Sequence, residues 1–315
     1  MENINLPDNT SIPQETITWL LSSQTPSIRY LTLTKLMHRR LDDADVLLVR
    51  SLIPASNPVK AIFAKQDPEG FWVSSRHDYS PKYRSSHWTM FLLTELAVPP
   101  EFPAMQKGSA FLLNRNLSSF PYSYKDEEEG LFGCFWGNWL RYQLYCGRLS
   151  DPSVQHVIQI TCKDILRLGK CRYNYDLPCA WAVVRDLYGL ALIPTDQRNV
   201  EVENAIKRGI QFLIEDNDLL SANYPYQEKI HPLWFKLSFP LFYHVDILFA
   251  LRVLKELNTL DHPNAAPAMK WLKDKQTRKG TWTGGSPFKS RTRPFLGKPD
   301  TPNHWITLHA ATIFS

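Results

Sequence analysis

Several features are missing from this chain of 315 residues, and each absence narrows what the protein does. No apolar run approaches the roughly 18 residues of a membrane-spanning helix. Residues 1–13 are polar and acidic, unlike the basic and then apolar start of a secretion signal. We therefore expect a flexible segment at residues 1–13, no transmembrane segment and a cytoplasmic protein, with peripheral membrane contact still allowed.

Paired cysteines and an excess of one charge are also missing. The five cysteines are odd in number and lack C-x-x-C spacing, which argues against a disulfide framework and against a zinc ribbon. They are expected to be reduced, buried thiols. The formal net charge is only +5 and the basic residues are scattered, so no nucleic-acid partner is predicted.

One spacing occurs twice: residues 66–72 and 276–282 both read Q-x-x-x-G-x-W, and both follow an apolar helical stretch. We expect the Gln to bond the free carbonyls at the helix end, the Gly to form a left-handed turn and the Trp to fold back over the join. Such recurrence predicts a repeat protein with a single domain over residues 1–315. The upstream half, an aromatic residue five positions before an amide, recurs at Trp19 to Gln24, Phe111 to Asn116, Phe212 to Asn217 and Trp271 to Gln276.

The helical periodicity divides the chain into two kinds of helix. Residues 202–213 carry one apolar stripe, as expected of an outer helix. Residues 179–193 and 245–257 are apolar almost all round, which predicts inner helices, and they are broken only by charged residues such as Arg185, Asp186, Asp246 and Arg252. Residues 88–97, 139–146 and 305–314 are further inner candidates. The alternation predicts an all-α, (α/α) toroid of about five or six helical hairpins, with no strand.

The connections after outer helices are long, whereas those after inner helices are short. In a toroid, the long loops gather at one mouth, where every inner helix has its N-terminal end. The helix dipoles there suit an anionic group. Basic loop residues add to this field: Lys82, Arg84, Lys289, Arg291, Arg293 and Lys298.

Aromatic residues concentrate at the predicted inner-helix starts and in the loops just before them. Such a lining suits a long apolar ligand and stabilises a passing cation through the ring faces. We therefore predict a central aromatic cavity that opens at the mouth. Its aromatic residues are Tyr79, Tyr83, Trp88, Phe135, Trp136, Trp139, Trp181, Trp234, Phe242, Tyr243 and Trp305.

The repeated spacing resembles the QW repeat of squalene-hopene and oxidosqualene cyclases, whose barrel type is shared with the protein prenyltransferase β subunits. Lys107-Gly108 before Phe111 and Lys207-Arg208-Gly209 before Phe212 are similar to the lead-in of that repeat. Residues 298–308 resemble the end of bacterial proteins that consist of one such toroid. The resemblance implies an isoprenoid- or terpenoid-acting cyclase or transferase with no cofactor. Its partner would be an apolar or isoprenoid small molecule with an anionic head.

The acidic motifs of that family are absent. The nearest element to the protonating D-x-D-D motif is Tyr243-His244-Val245-Asp246, in which burial would raise the pKa of Asp246. We predict Asp246 as the catalytic acid with His244 and Tyr243 beside it, and the alternative is that Asp246 only caps a helix. The acidic runs 42–45 and 126–129 lack D-D-x-x-D spacing and are interpreted as solvated charges, so no magnesium site is predicted.

A zinc site of the prenyltransferase type is not predicted either. Asp176, Cys179, His244 and Asp246 come near inner-helix starts, but two residues separate Asp176 from Cys179, whereas the family's D-x-C has one. Of these residues, only Cys179 is assigned to the ligand. The predicted substrate-binding residues are Tyr83, His87, Trp88, Trp136, Trp139, Cys179, Trp181, Trp234, Arg291, Arg293, His304 and Trp305.

Two other functions stay open. A toroid without either acidic motif could be a non-catalytic module that binds a lipid, an isoprenoid or a protein segment. Alternatively, a polysaccharide lyase needs a cation or amide to neutralise a uronate, and a Tyr or His to move the protons of a β-elimination. The predicted mouth contains such residues, namely Tyr79, Tyr83, His87, Tyr243, His244, Arg291 and Arg293.

Overall fold

A computed structural model describes residues 12–115, 132–220, 225–226, 229–286 and 302–315. Arg291, Arg293 and the acidic run 126–129 lie outside the described residues. The fold is all-α, as predicted. The short strands β1 (Pro225–Tyr226) and β2 (Lys229–Ile230) pair antiparallel beside the helices.

One set of helices is half-buried. The helix Val200–Ile214 is the clearest example, since it turns Val202, Ala205 and Leu213 inward and its polar residues outward. The set comprises α1 (Gln14–Leu21), α3 (Ala44–Ser51), α4 (Val59–Phe63), α6 (Pro103–Leu113), α8 (Pro152–Leu166), α10 (Val200–Ile214) and α12 (Ala266–Asp274).

The other set is buried on almost every side, as the continuous apolar stretches predicted. All ten residues of the helix Ser86–Glu95 are buried, for example. The set comprises α2 (Pro26–Leu31) with a π-helical continuation (Thr32–Leu36), α5 (Ser86–Glu95), α7 (Gly133–Tyr145), α9 (Ala180–Leu190), α11 (Ile247–Glu256) and α13 (His304–Ile313). No helix in the described part of the chain is long and apolar enough to cross a bilayer.

The buried helices contact one another in chain order. Helix α5 contacts α7, α7 contacts α9, α9 contacts α11, α11 contacts α13, and α13 returns to α2. The half-buried helices α6, α8, α10 and α12 pack on the outside of neighbouring buried helices. A toroid requires this order, and the closed toroid itself stays a prediction.

Both Q-x-x-x-G-x-W segments form the same hydrogen-bonded structure. The indole N–H of Trp72 donates to the carbonyl of Ile62 (2.9 Å), and that of Trp282 donates to the carbonyl of Leu272 (2.8 Å). Each Trp thus bonds to a residue ten positions earlier, near the end of the preceding half-buried helix. Gly70 and Gly280 have positive φ angles of 103° and 76°, which glycine adopts without strain.

The role predicted for the Gln of this motif is wrong. The amide groups of Gln66 and Gln276 donate to the carbonyls of Gly70 (3.1 Å) and Gly280 (3.0 Å), and Gln66 also donates to Ala104 of the next half-buried helix (2.9 Å). The Gln therefore closes the turn, and Gln66 also joins it to the next half-buried helix.

The two ends of the described chain meet at the second of these segments. The hydroxyl of Thr16 in α1 donates to the carbonyl of Gly280 (3.2 Å). The Trp19 ring stacks on His304 with ring centroids 3.8 Å apart. Helix α1 is therefore attached to the turn that precedes α13, and this contact links the beginning of the fold to its end.

A capping residue shortly before a proline predicts a helix start, as at Asp151-Pro152, Asp176 with Pro178, Asp261 with Pro263 and Thr301-Pro302. Several of these predicted starts are wrong by a few residues. Asp151 caps α8 as predicted, accepting from the amide of Ser153 (2.8 Å). By contrast, Cys179 rather than Asp176 precedes α9, and Asn303 caps α13, while Thr301 lies outside the described residues. Similarly, His262 replaces Asp261 as the cap of the short helix Pro263–Ala265. A proline near a helix start locates the start only to within two or three residues, because other polar side chains nearby can cap it.

Candidate functional site

The N-terminal ends of four buried helices meet in one aromatic cluster. The imidazole of His87 in α5 stacks on Phe135 of α7 (ring centroids 4.3 Å apart), and Trp181 of α9 contacts His244 before α11 (4.7 Å). Most of these rings are buried. We define the aromatic cluster as Tyr79, Tyr83, His87, Trp88, Phe135, Trp136, Trp181, Phe242, Tyr243 and His244.

The outer surface of the cluster is closed by a lysine lying between two tyrosines. The ammonium nitrogen of Lys82 is 4.9 Å from the ring centre of Tyr243 and 5.6 Å from that of Tyr79. Both tyrosines are partly exposed and Lys82 is exposed. A cation over ring faces at an exposed site gives only a small attraction, so moving the Lys82 side chain away from the two tyrosines costs little free energy.

Deeper in the cluster, His87 is fully buried. Its Nδ1 lies 3.3 Å from the hydroxyl of Tyr142, and its Nε2 has no hydrogen-bond partner in the described part of the fold. Burial lowers the pKa of His87 to about 3, with a smaller contribution from Arg185. The imidazole is therefore neutral at pH 7, and it can donate or accept one further hydrogen bond.

Asp246, the predicted catalytic acid, is buried at the start of α11. Its Oδ1 accepts from the amide of Phe249 and its Oδ2 from the amide of Ser238, both at 2.8 Å. It therefore caps the helix. Burial raises the pKa of Asp246 to about 7, although the two backbone N–H groups and the cations Arg252 and Arg185 favour its charged form.

A small cavity adjoins Asp246. Its volume is about 10 Å³, near the minimum that holds one water molecule. His309 contributes a buried Nε2 atom that lacks a partner among the described residues. A water here has polar neighbours in Asp246, His309 and Arg252. The cavity is lined by Ser238, Phe239, Leu241, Asp246, Leu248, Phe249, Arg252 and His309.

The opposite, C-terminal ends of the same helices are closed by a charged network of Glu95, Arg141, Tyr188, Arg252 and Glu256. Arg252 pairs with Glu95 (3.1 Å) and Arg141 pairs with Glu256 (2.6 Å), while the Tyr188 hydroxyl donates to Glu95. Burial alone would raise the pKa of Glu95, but Arg252, His309 and Tyr188 lower it to about 2. This end of the helix assembly is thus filled by ion pairs.

Arg185 of α9 lies between the aromatic cluster and the charged network. Its guanidinium donates to the side-chain oxygen of Asn138 (3.3 Å) and to the carbonyl of His244. It also lies 4.0 Å from the ring centre of Phe249 and 5.1 Å from that of Phe91. Arg185 therefore reaches groups on or next to three other buried helices, although it is fully buried.

A pair of buried carboxyl groups lies in the wall between α8 and α9, and we call Asp164 and Asp186 the acid pair. A methyl group on Gly133 would overlap an oxygen of each carboxyl group, so the two groups meet at the start of α7. Burial and the neighbouring Asp164 raise the pKa of Asp186 well above its usual value. Two ionised carboxylates only accept hydrogen bonds, so a hydrogen bond between them requires one proton.

Other predicted ligand-binding residues have structural contacts of their own. The Trp234 indole donates to the carbonyl of Leu219 (2.8 Å), as the two repeat tryptophans do to their helices. Backbone amides of Trp181 and Ala182 donate to the Cys179 sulfur, while burial raises the pKa of this thiol to about 12. Trp305 stacks on Phe239, with ring centroids 4.3 Å apart.

The residues predicted for the site are thus only partly brought together. Trp139 is buried beside Trp136, and its indole N–H has no partner in the described ranges. In contrast, His304 stacks on Trp19, where the chain ends meet. No group of three or more metal-ligating side chains occurs among the described residues.

Sequence reasoning missed Arg185 as a site residue and missed the acid pair. Charged residues within a stretch that is otherwise apolar all round were the available signal, since burying a charge requires a partner. That signal identified Arg185 and Asp186 as interruptions of the stretch 179–193 and did not reveal their contacts. Comparisons with protein families, curated proteins and solved structures found no match.

Proposed function

We propose that this protein binds an isoprenoid or similarly elongated apolar molecule in the aromatic cluster and acts on it as a cyclase or transferase. The observation that carries the proposal is the meeting of rings from four buried helices at the helix ends, one of which is capped by the buried carboxyl group of Asp246. Aromatic faces hold an apolar chain and stabilise cationic charge developed along it. A buried acid that is partly protonated at neutral pH would start such a reaction.

Asp246 is the acid in this proposal. With a pKa of about 7, about half of its carboxyl groups are protonated at neutral pH. Only the protonated form donates, so turnover should fall as the pH rises through about 7. Water in the adjoining cavity would connect Asp246 to His309 and supply the replacement proton.

The capping contacts of Asp246 favour a second candidate, a binding module without catalysis. Both carboxyl oxygens already accept backbone N–H groups, which is a sufficient structural reason for an aspartate at this position. This module would hold the same apolar ligand in the same cluster. The two candidates differ only in what Asp246 does to the bound molecule.

The substitution Asp246→Asn separates the two candidates. Asparagine still caps a helix but donates no acidic proton. We expect wild-type protein incubated with squalene or farnesyl diphosphate to form a new product, and Asp246→Asn to lower the rate at least about 100-fold. Products would be measured by gas chromatography with mass spectrometry.

The matched control is Asp151→Asn, which changes the capping aspartate of α8. It should leave turnover unchanged. Equal rates in wild type and Asp246→Asn would remove the acid role and leave the binding module. Absence of any product from the wild type would have the same consequence.

A further inference from the structure

The cation Arg185 has no ion-pair partner among the described residues, although it is fully buried. The other two buried arginines of this region are neutralised, since Arg252 pairs with Glu95 and Arg141 with Glu256. Transferring an unpaired charge out of water is costly unless an opposite charge or hydrogen bonds compensate for it. Here the compensation comes from one amide oxygen, one carbonyl and two ring faces.

The guanidinium also keeps an unused donor. The Nη1 and Nη2 atoms donate to Asn138 and to the carbonyl of His244, whereas Nε has no acceptor. A buried donor without an acceptor can take an oxygen of a ligand or water. Arg141 also has an Nε without an acceptor, so the missing ion pair is what distinguishes Arg185. A guanidinium N–H donates a charge-assisted hydrogen bond to a carboxylate oxygen.

Other unused polar nitrogens lie one helical turn closer to the aromatic cluster. Trp181 precedes Arg185 by four residues on the same face of α9, a rise of about 6 Å, and its indole N–H has no acceptor in the part of the chain described. His87 precedes Phe91, whose ring faces Arg185, by the same interval on α5. Two helices thus turn unsatisfied nitrogens toward the layer above the guanidinium.

We propose that Arg185 binds the carboxylate head of an apolar ligand, whose tail lies among the rings of the aromatic cluster. The head is monoanionic because Arg185 is the one buried cation of this region without an ion pair among the described residues. The indole of Trp181 and the imidazole of His87 offer it further hydrogen bonds. The ligand enters past Tyr243 and Lys82, where the cluster is partly exposed.

This inference deepens the proposed function, on which the choice of the aromatic cluster as the tail site rests. The sequence suggested that Arg291 and Arg293 bind the anionic head, whereas this inference assigns the head to Arg185. The titratable and charged neighbours of Arg185 include Glu95, Arg252, Tyr188, Cys134, His87, His244 and Asp246. Of these, Glu95 already pairs with Arg252, and Asp246 accepts two backbone N–H groups.

The test is calorimetric titration of the full chain at pH 7 with farnesoic acid, farnesol, farnesyl diphosphate and palmitic acid. We expect farnesoic acid to bind wild type at least about tenfold more tightly than farnesol, because a charge-assisted hydrogen bond is lost in the alcohol. Farnesyl diphosphate should bind more weakly than the acid. Equal affinity for acid and alcohol, or a preference for the diphosphate, would overturn the inference without any substituted protein.

Two substitutions test the residue itself. Arg185→Gln should weaken farnesoic acid at least about tenfold and leave farnesol unchanged, while Arg185→Lys keeps the charge, loses the planar fork and gives an intermediate affinity. The control Arg208→Gln alters an arginine that pairs with Asp216 on the outside of α10. Acid binding that is unchanged in both Arg185 variants would contradict the assignment.

Comparing ligands with an isoprenoid tail and a straight-chain tail separates this inference from the proposed function. If palmitic acid binds in an Arg185-dependent way and farnesoic acid does not, the carboxylate site stands and the isoprenoid proposal fails. If farnesol and farnesoic acid bind equally and independently of Arg185, the isoprenoid proposal stands and the carboxylate site fails.

Discussion

Replacing Gly137 with alanine is expected to lower the free energy of unfolding by roughly 3 kcal/mol, one of the two largest effects we predict. Gly137 lies in α7, where this helix passes closest to α9. An added methyl group would overlap the carbonyl of Arg185 and lie 2.6 Å from the amide nitrogen of Asp186. Backbone cannot move aside as a flexible side chain does, so the two buried helices must separate.

Gly209→Ala is the matched control, because Gly209 is also a glycine inside a helix. Its added methyl group would meet only the side chain of Leu187, at 3.0 Å. Alanine also has the higher helix propensity, by about 1 kcal/mol, so the net change should be small. Urea denaturation of both variants measures the difference, and equal destabilisation would contradict the close approach of α7 and α9.

The second large effect concerns the acid pair. Asp186→Asn should make the protein more stable than the wild type at alkaline pH, with the gain growing by up to about 1.4 kcal/mol per pH unit. The raised pKa of Asp186 means that the folded protein keeps a proton that the unfolded chain releases. The stability from that proton is fully present below the unfolded pKa, and it is lost as the pH rises through the folded pKa.

Asparagine removes this loss because its amide donates to Asp164 without titrating. Urea denaturation of wild type and Asp186→Asn at each pH unit from 4 to 9 gives the difference, because the gain grows between the unfolded pKa, about 4, and the raised folded pKa. The exposed Asp196→Asn serves as the control. The buried histidines act in the opposite direction: burial lowers the pKa of His87 to about 3, so stability falls as the pH drops below about 6.5. Parallel curves for wild type and Asp186→Asn would show that the two carboxyl groups share no proton.

The buried helices could be predicted because their apolar residues occupy every face. The stretch 179–193 contains the observed α9 (Ala180–Leu190), and 245–257 contains α11 (Ile247–Glu256). The start of α7 was predicted six residues too late, at Trp139 instead of Gly133. Gly133 and Gly137 are poor helix formers in isolation, and they are present because the acid pair and α9 leave no room for a side chain.

The repeat spacing predicted where the tryptophans fasten the helices but not every bond of the motif. Trp72 and Trp282 fold back as expected, since an indole has one donor and the helix end offers free carbonyls. The amide of Gln66 has several acceptors within reach, and local sequence does not choose among them. Its bond to Ala104, 38 residues away, depends on how the next helix packs.

The candidate site could be predicted in composition and only partly in contacts. Aromatic residues before inner-helix starts were recognised, and the rings of Tyr83, His87, Trp88, Trp181 and Tyr243 do meet. The ion pairs that neutralise Arg252 and Arg141, and leave Arg185 without one, join residues more than 100 positions apart. No spacing along the chain encodes such pairings, because they follow from the packing of whole helices.

The most direct test of the account is whether an apolar acid co-purifies with the protein and depends on Arg185. Wild type and Arg185→Gln, purified in parallel and shown to be folded by circular dichroism, would be extracted with organic solvent and analysed by mass spectrometry. We predict an apolar monocarboxylic acid in the wild-type extract and its loss from the variant. An equal amount of the same acid in both extracts, or a wild-type protein that carries only uncharged lipid, would contradict the account.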